Sequence, residues 1–115
     1  MNVLQVVDAA PRAHRSREDD PLSWIERAST QAAAKVYVLL QGEAVRYARA
    51  CAHGATDADV ARLCALAERG VSIYAVRDDA VERGLALDEL ASPVELVARA
   101  DVPALYARHD QVWLW

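Results

Sequence analysis

The sequence predicts an α/β domain, a three-layer α/β/α sandwich around a mainly parallel five-stranded sheet. Three observations predict it. Short apolar runs alternate along the chain with segments of helical periodicity. The runs are continuously β-branched and aliphatic, the pattern of strands buried on both faces in parallel sheets. The intervening segments are about long enough for crossover helices, which gives a β-α-β-α order.

Each element has its own signal. Residues 2–8, with Val3, Leu4, Val6 and Val7, form the first strand run. Asp20-Pro21 is a helix start, with Asp as N-cap and Pro at the first helical position; Leu22, Ile25, Ser29 and Ala32 then share a face. Residues 35–40 (Lys-Val-Tyr-Val-Leu-Leu) form the second strand. Thr56 to Asp59 resembles a capping box with Asp in place of Glu. Val60, Leu63, Cys64 and Ala67 follow at i, i+3, i+4 and i+7, and Gly70 ends that helix. Residues 71–76 form the third strand, and Asp78 caps a short helix that Gly84 ends. Residues 93–98 give a fourth, weaker strand. Asp101 caps a helix through Pro103, Leu105 and Tyr106, and residues 111–115 form the fifth strand. There is no internal repeat, low-complexity segment or linker, so residues 1–115 read as a single domain.

Composition narrows the function classes. Hydrophobic residues make up 54%, enough for a real core, and charged residues 26%. The formal net charge of -4 does not favour nucleic acid or an anionic membrane as partner. No apolar run approaches a membrane span, and the first residues carry no signal-peptide pattern, so the expected compartment is the cytoplasm. In that compartment Cys51 and Cys64 should be free thiols. No Cys/His cluster has zinc spacing, and the four glycines form no phosphate-binding fingerprint; neither metal nor cofactor is expected.

Several segments then match one family pattern in order. The stretch 36–45 (Val-Tyr-Val-Leu-Leu-Gln-Gly-Glu-Ala-Val) resembles the second strand and following turn of the DsrE/DsrF/DsrH-like (TusBCD-like) sulfur-relay family. Residues 67–76 resemble its helix end and third strand. Residues 80–85 (Ala-Val-Glu-Arg-Gly-Leu) resemble its next helix and corner, and Asp110-Gln111-Val112-Trp113 its final strand. The resemblance implies the DsrEFH-like layered fold, homo-oligomers (trimers or hexamers), a sulfur donor or acceptor protein as partner, and a cysteine carrying persulfide in active members. That cysteine stands at the end of the third strand. Here the position falls at or beside Val76, and Tyr74-Ala75-Val76-Arg77 holds no cysteine.

The candidate sites follow from these readings. Ligands of open α/β sheets bind outside the carboxyl ends of the strands, where Asp8, Gln41, Gly42, Glu43, Arg77 and Asp78 converge. The bland reading makes Gly42 a turn residue and Asp78 a cap. Cys51 lies between Arg49 and His53, whose positive charge would raise its thiolate fraction, the form that persulfide transfer requires. It is a candidate relocated sulfur carrier; the bland reading is an inert cysteine at a helix end. Cys64 falls on an apolar helix face and reads as packing. His14 lies in a basic loop offset by Glu18-Asp19-Asp20, and His109 reads as a surface residue ending the last helix. Trp113 and Trp115 share a strand face and are candidate interface anchors. The functional readings are therefore a sulfur (persulfide) relay protein with sulfurtransferase-like activity, or a non-catalytic oligomeric subunit or small-ligand-binding module of the same fold. A flavodoxin-like cofactor protein fits the layer order, but Ala9-Ala10-Pro11-Arg12 stands where its phosphate loop would be.

Overall fold

The computed structural model describes residues 2–8, 21–30, 35–48, 64–85 and 94–114. The strands are β1 (Asn2–Val7), β2 (Lys35–Leu40), β3 (Ser72–Val76), β4 (Glu95–Val97) and β5 (Gln111–Leu114). Among the described residues the helices are α1 (Pro21–Ser29), α2 (described over residues 64–68), α3 (Arg77–Glu82) and α4 (Val102–Ala107), with 3-10 turns at Gly42–Val45 and Arg99–Asp101 and a helical stretch over residues 46–48. The five strands form one sheet in the order β4-β3-β2-β1-β5, and every pairing is parallel. The expected fold class is the one observed, with β4 shorter than its apolar run.

The register sorts side chains onto two faces, because neighbouring residues of a strand point to opposite sides. Val7, Val36, Val38, Leu40, Ile73 and Ala75 face one way and pack with Ile25 of α1, Leu66 of α2 and Ala80 of α3. Leu4, Val6, Leu39 and Val76 face the other way and pack with Leu105 of α4. The chain therefore reads β1 to β3 with helices on the first face, and crosses back from β4 to β5 over the second. Cys64 is half-buried against the first core, as its helical spacing predicts.

Both predicted helix stops occur. Gly70 has φ 93 and Gly84 has φ 73, a region that side chains with Cβ rarely adopt. At each, the residue after the glycine donates back to a carbonyl five positions earlier: Val71 to Leu66 and Leu85 to Ala80. This closes the helix end in a Schellman arrangement. The helix starts agree in part: α1 begins at Pro21 as expected, and the departures are at the caps of the later helices. The N-cap of α3 is Val76 rather than Asp78, and it has no side-chain cap bond. Asp101 does stand at the N-cap of α4, but its carboxylate makes no cap bond either.

The second face carries an aromatic cluster. Tyr37 and Tyr74 stack with ring centroids 6.5 Å apart, and His109 meets Tyr37 edge-on at 4.7 Å. His109 is half-buried rather than a plain surface residue. Its Nδ1–H donates to the Leu105 carbonyl at 2.7 Å, which satisfies one of the free carbonyls at the end of α4 and fixes the tautomer.

Candidate functional site

Parallel strands deliver their carboxyl ends to one edge of the sheet, so the loops after β1, β2, β3 and β4 meet there. Asp8 follows β1 and is exposed. Gln41 and Gly42 follow β2; the Gln41 N–H donates to the Val7 carbonyl at 3.0 Å, extending the β1–β2 ladder by one bond. Gly42 has φ 56, and a Cβ there would run into the Asp8 carboxylate. The turn requires glycine, and the lack of a side chain lets Asp8 sit close to the backbone.

The third loop braces the second. The Gly42 N–H donates to Asp79 Oδ2 at 2.8 Å. The other oxygen of Asp79 pairs with the Arg99 guanidinium, which also bonds Glu82 Oε1 at 3.0 Å. Arg99 is held a second time, through its backbone: its N–H donates to Asp78 Oδ1 at 2.9 Å. Glu43 bridges Arg46 at 2.9 Å and Arg83 at 2.8 Å. Arg83 Nη1 also donates to the Asp79 carbonyl at 3.2 Å. Loops two, three and four are thereby laced together by charge-assisted hydrogen bonds.

The charges respond accordingly. Burial pushes the Asp79 carboxyl up, but the Gly42 N–H and the Arg99 guanidinium outweigh it and hold the group below its ordinary range. The Arg46 and Arg83 guanidiniums lower Glu43, and the Arg99 N–H lowers Asp78. Arg99 is raised, chiefly by Asp79 and then by Glu82. All three carboxylates are stabilised in the ionised form. None is poised for proton transfer near neutrality.

Of the strand-end residues expected from sequence, Asp8, Gln41, Gly42, Glu43, Arg77 and Asp78 do gather on this edge. Glu43 and Asp78 are engaged in ion pairing or bracing. Asp79, Arg83 and Arg99 complete the network and were not singled out by sequence reasoning. The adjacent Asp78-Asp79 pair was the available signal for Asp79. Arg99 lies 20 residues from its partner Asp79, and no local pattern joins the two. Arg49, Cys51 and His53 lie outside the described residues, as do His14 and Trp115. Val76 is buried, 2% exposed, with its side chain in the second core beside Leu105. Cys64 is the one free thiol among the described residues. Among those residues no group of His, Cys, Asp and Glu could hold a metal, and no helix is long and apolar enough to cross a membrane.

Similarity to solved structures places the fold. The YchN protein of E. coli superposes with TM-score 0.74 over 99% of this chain and 98% of its own, at 17% identity. The chain shares its fold with the YchN protein. Two proteins of unknown function agree. BT1422 of Bacteroides thetaiotaomicron has TM-score 0.71 at 12% identity, covering 98% of this chain and 94% of its own. MTH1491 of Methanobacterium thermoautotrophicum has TM-score 0.71 at 14% identity, covering 99% and 97%. No family model matches the sequence, and no curated protein does.

Proposed function

We propose that this chain is a DsrE/F-type protein of intracellular sulfur relay that acts as an assembling, non-thiol subunit. The YchN-type fold and the family-like segments at 36–45, 67–76, 80–85 and 110–113 support the family reading. The observation that carries the subunit reading is Val76. The strand end where active family members hold their sulfur-carrying cysteine has a buried valine, and the loops around it are tied to one another by ion pairs. The assembly is a trimer or hexamer, and the exposed Trp113 on the edge strand β5 contributes to its contacts.

A second reading keeps sulfur transfer in this chain. Cys51, flanked by Arg49 and His53, attacks the outer sulfur of a donor persulfide as a thiolate; the donor S–S bond breaks, the donor thiolate leaves, and the same exchange passes the outer sulfur from Cys51 to a partner thiolate.

Intact mass spectrometry after incubation with a persulfide donor separates the two. A reductant-sensitive gain of about 32 Da that vanishes only in Cys51→Ser establishes the carrier. Wild-type protein that gains no sulfur and sediments as a trimer or hexamer supports the subunit. A monomer that gains no sulfur refutes both.

A further inference from the structure

In an open α/β sheet, a ligand crevice forms where the connections of adjacent strands leave toward opposite faces. Here that point lies between β3 and β4. The chain leaves β3 into α3, which packs on the first face, and leaves β4 toward α4, which packs on the second. On the second face this divergence opens into a groove of about 450 Å³, lined by Arg77, Glu95, Val97, Asp101, Ala104 and Arg108. The volume lies in the range of small-molecule sites.

Charge pairing sets the groove apart from the neighbouring strand-end edge. There Glu43, Arg46, Asp79, Glu82, Arg83 and Arg99 are all engaged with one another. In the groove, Arg77, Glu95, Asp101 and Arg108 have no ion-pair partner among the described residues. Two guanidiniums and two carboxylates therefore line one cleft without a direct ion pair among the described residues. Its floor is partly apolar, from Val97 and Ala104.

The two arginines stand at different levels of the sheet. Arg77 stands at the carboxyl end of the sheet, directly after β3. Arg108 ends α4, which runs back toward the amino end of β5. Six residues of helix separate the level of Arg108 from Val102, a rise of roughly 9 Å. A three-residue chain whose first residue is linked through its side-chain carboxyl keeps a carboxylate at each end, with a reach on the order of 10 Å. A polyanion such as a nucleotide would meet Glu95 and Asp101 with like charge. A ligand with carboxylates at its two ends and an ammonium between or beside them matches the charges present.

We infer that this groove binds a short, zwitterionic, peptide-like molecule whose terminal carboxylates are taken by Arg77 and Arg108 and whose ammonium is taken by Glu95 or Asp101. The site does not depend on sulfur relay: a protein that takes up no sulfur can still bind such a ligand.

The test is a backbone-amide NMR titration with the tripeptide γ-glutamylcysteinylglycine, run beside glutarate, a dicarboxylate without the ammonium. Saturable shifts are expected at Val97, Ala98 and Ala104. Affinity should drop about tenfold or more in Arg77→Gln and in Arg108→Gln, since each removes a charge-assisted pair. Glutarate should bind about tenfold more weakly than the tripeptide. Both arginines are exposed and have no ion pair among the described residues, so the variants keep the wild-type spectrum elsewhere and a fold defect is seen directly. Absence of saturable shifts up to about 10 mM tripeptide overturns the site. So does binding that survives both substitutions. Glutarate binding as tightly as the tripeptide overturns the zwitterionic class.

Discussion

Asp79 is the brace of the strand-end edge, and its removal has a worked consequence. Its side chain is 14% exposed, and its two oxygens serve two different loops: the Gly42 N–H at 2.8 Å and the Arg99 guanidinium. Asp79→Ala removes both acceptors and leaves the Gly42 N–H without its partner. A hydrogen bond to a charged group is worth about 1.5–3 kcal/mol, and desolvation of the carboxylate offsets part of the second, so the expected loss is about 2 kcal/mol. For a domain of this size that corresponds to a fall in Tm of roughly 6–10 °C. Asp79→Asn keeps an oxygen for the Gly42 N–H and loses only the charge, so it should cost about half as much. The sign with pH follows from the depressed folded-state carboxyl. Its stabilisation is fully present above the unfolded value near 3.8 and is lost as pH falls through the lower folded value. The assay is urea denaturation followed by tryptophan fluorescence at several pH values. The gap between wild type and Asp79→Asn should be constant from pH 7 to pH 5 and close below about pH 4. A gap that widens on acidification, or an Asp79→Ala variant as stable as wild type, refutes the bracing role.

Three further outcomes are expected. Leu105→Ala, which empties the centre of the second core beside Leu4, Val6 and Leu39, should cost about 2–5 kcal/mol in the same denaturation assay. Gly42→Ala should cost about 1–2 kcal/mol from its φ of 56 and a further amount from the clash with the Asp8 carboxylate, and Asp8→Ala should relieve only the clash in a double-mutant cycle. A cysteine placed by Val76→Cys should react slowly with a thiol reagent because the position is 2% exposed, whereas one placed by Arg77→Cys should react readily; equal rates would show that the Val76 position opens in solution.

The strands could be read from sequence because a parallel sheet buries both faces and leaves an unbroken apolar run, as in Lys35–Leu40. Gly70 and Gly84 marked helix ends because only positive φ closes those turns cheaply. The strand order was not readable, since no local pattern says that β5 returns to lie beside β1. Asp78 misled for a related reason. An aspartate at the start of a helix usually caps it, but here the Arg99 backbone, 21 residues downstream, supplies the stronger donor. The same distance hid Arg99 itself. The groove charges Glu95 and Arg108 were invisible because they meet only when α4 is laid across the second face.

The return of β5 to β1 has a consequence for how the chain folds. The Asn2 N–H donates to Asp110 Oδ2 at 2.7 Å, and the Asp110 N–H donates to the Asn2 carbonyl at 3.0 Å, a two-bond clasp across 108 positions. Val3 to Val6 then pair with Gln111 to Leu114. Each of these contacts closes a loop nearly as long as the 115-residue chain, so the entropy of closure is lost before the pairing rewards it. β1, which lies between β2 and the edge strand β5, can gain its second neighbour only after everything between has been placed. Folding of this domain should therefore be slow for its size, and a chain emerging from the ribosome should keep one flank of β1 open until β5 is free to pair.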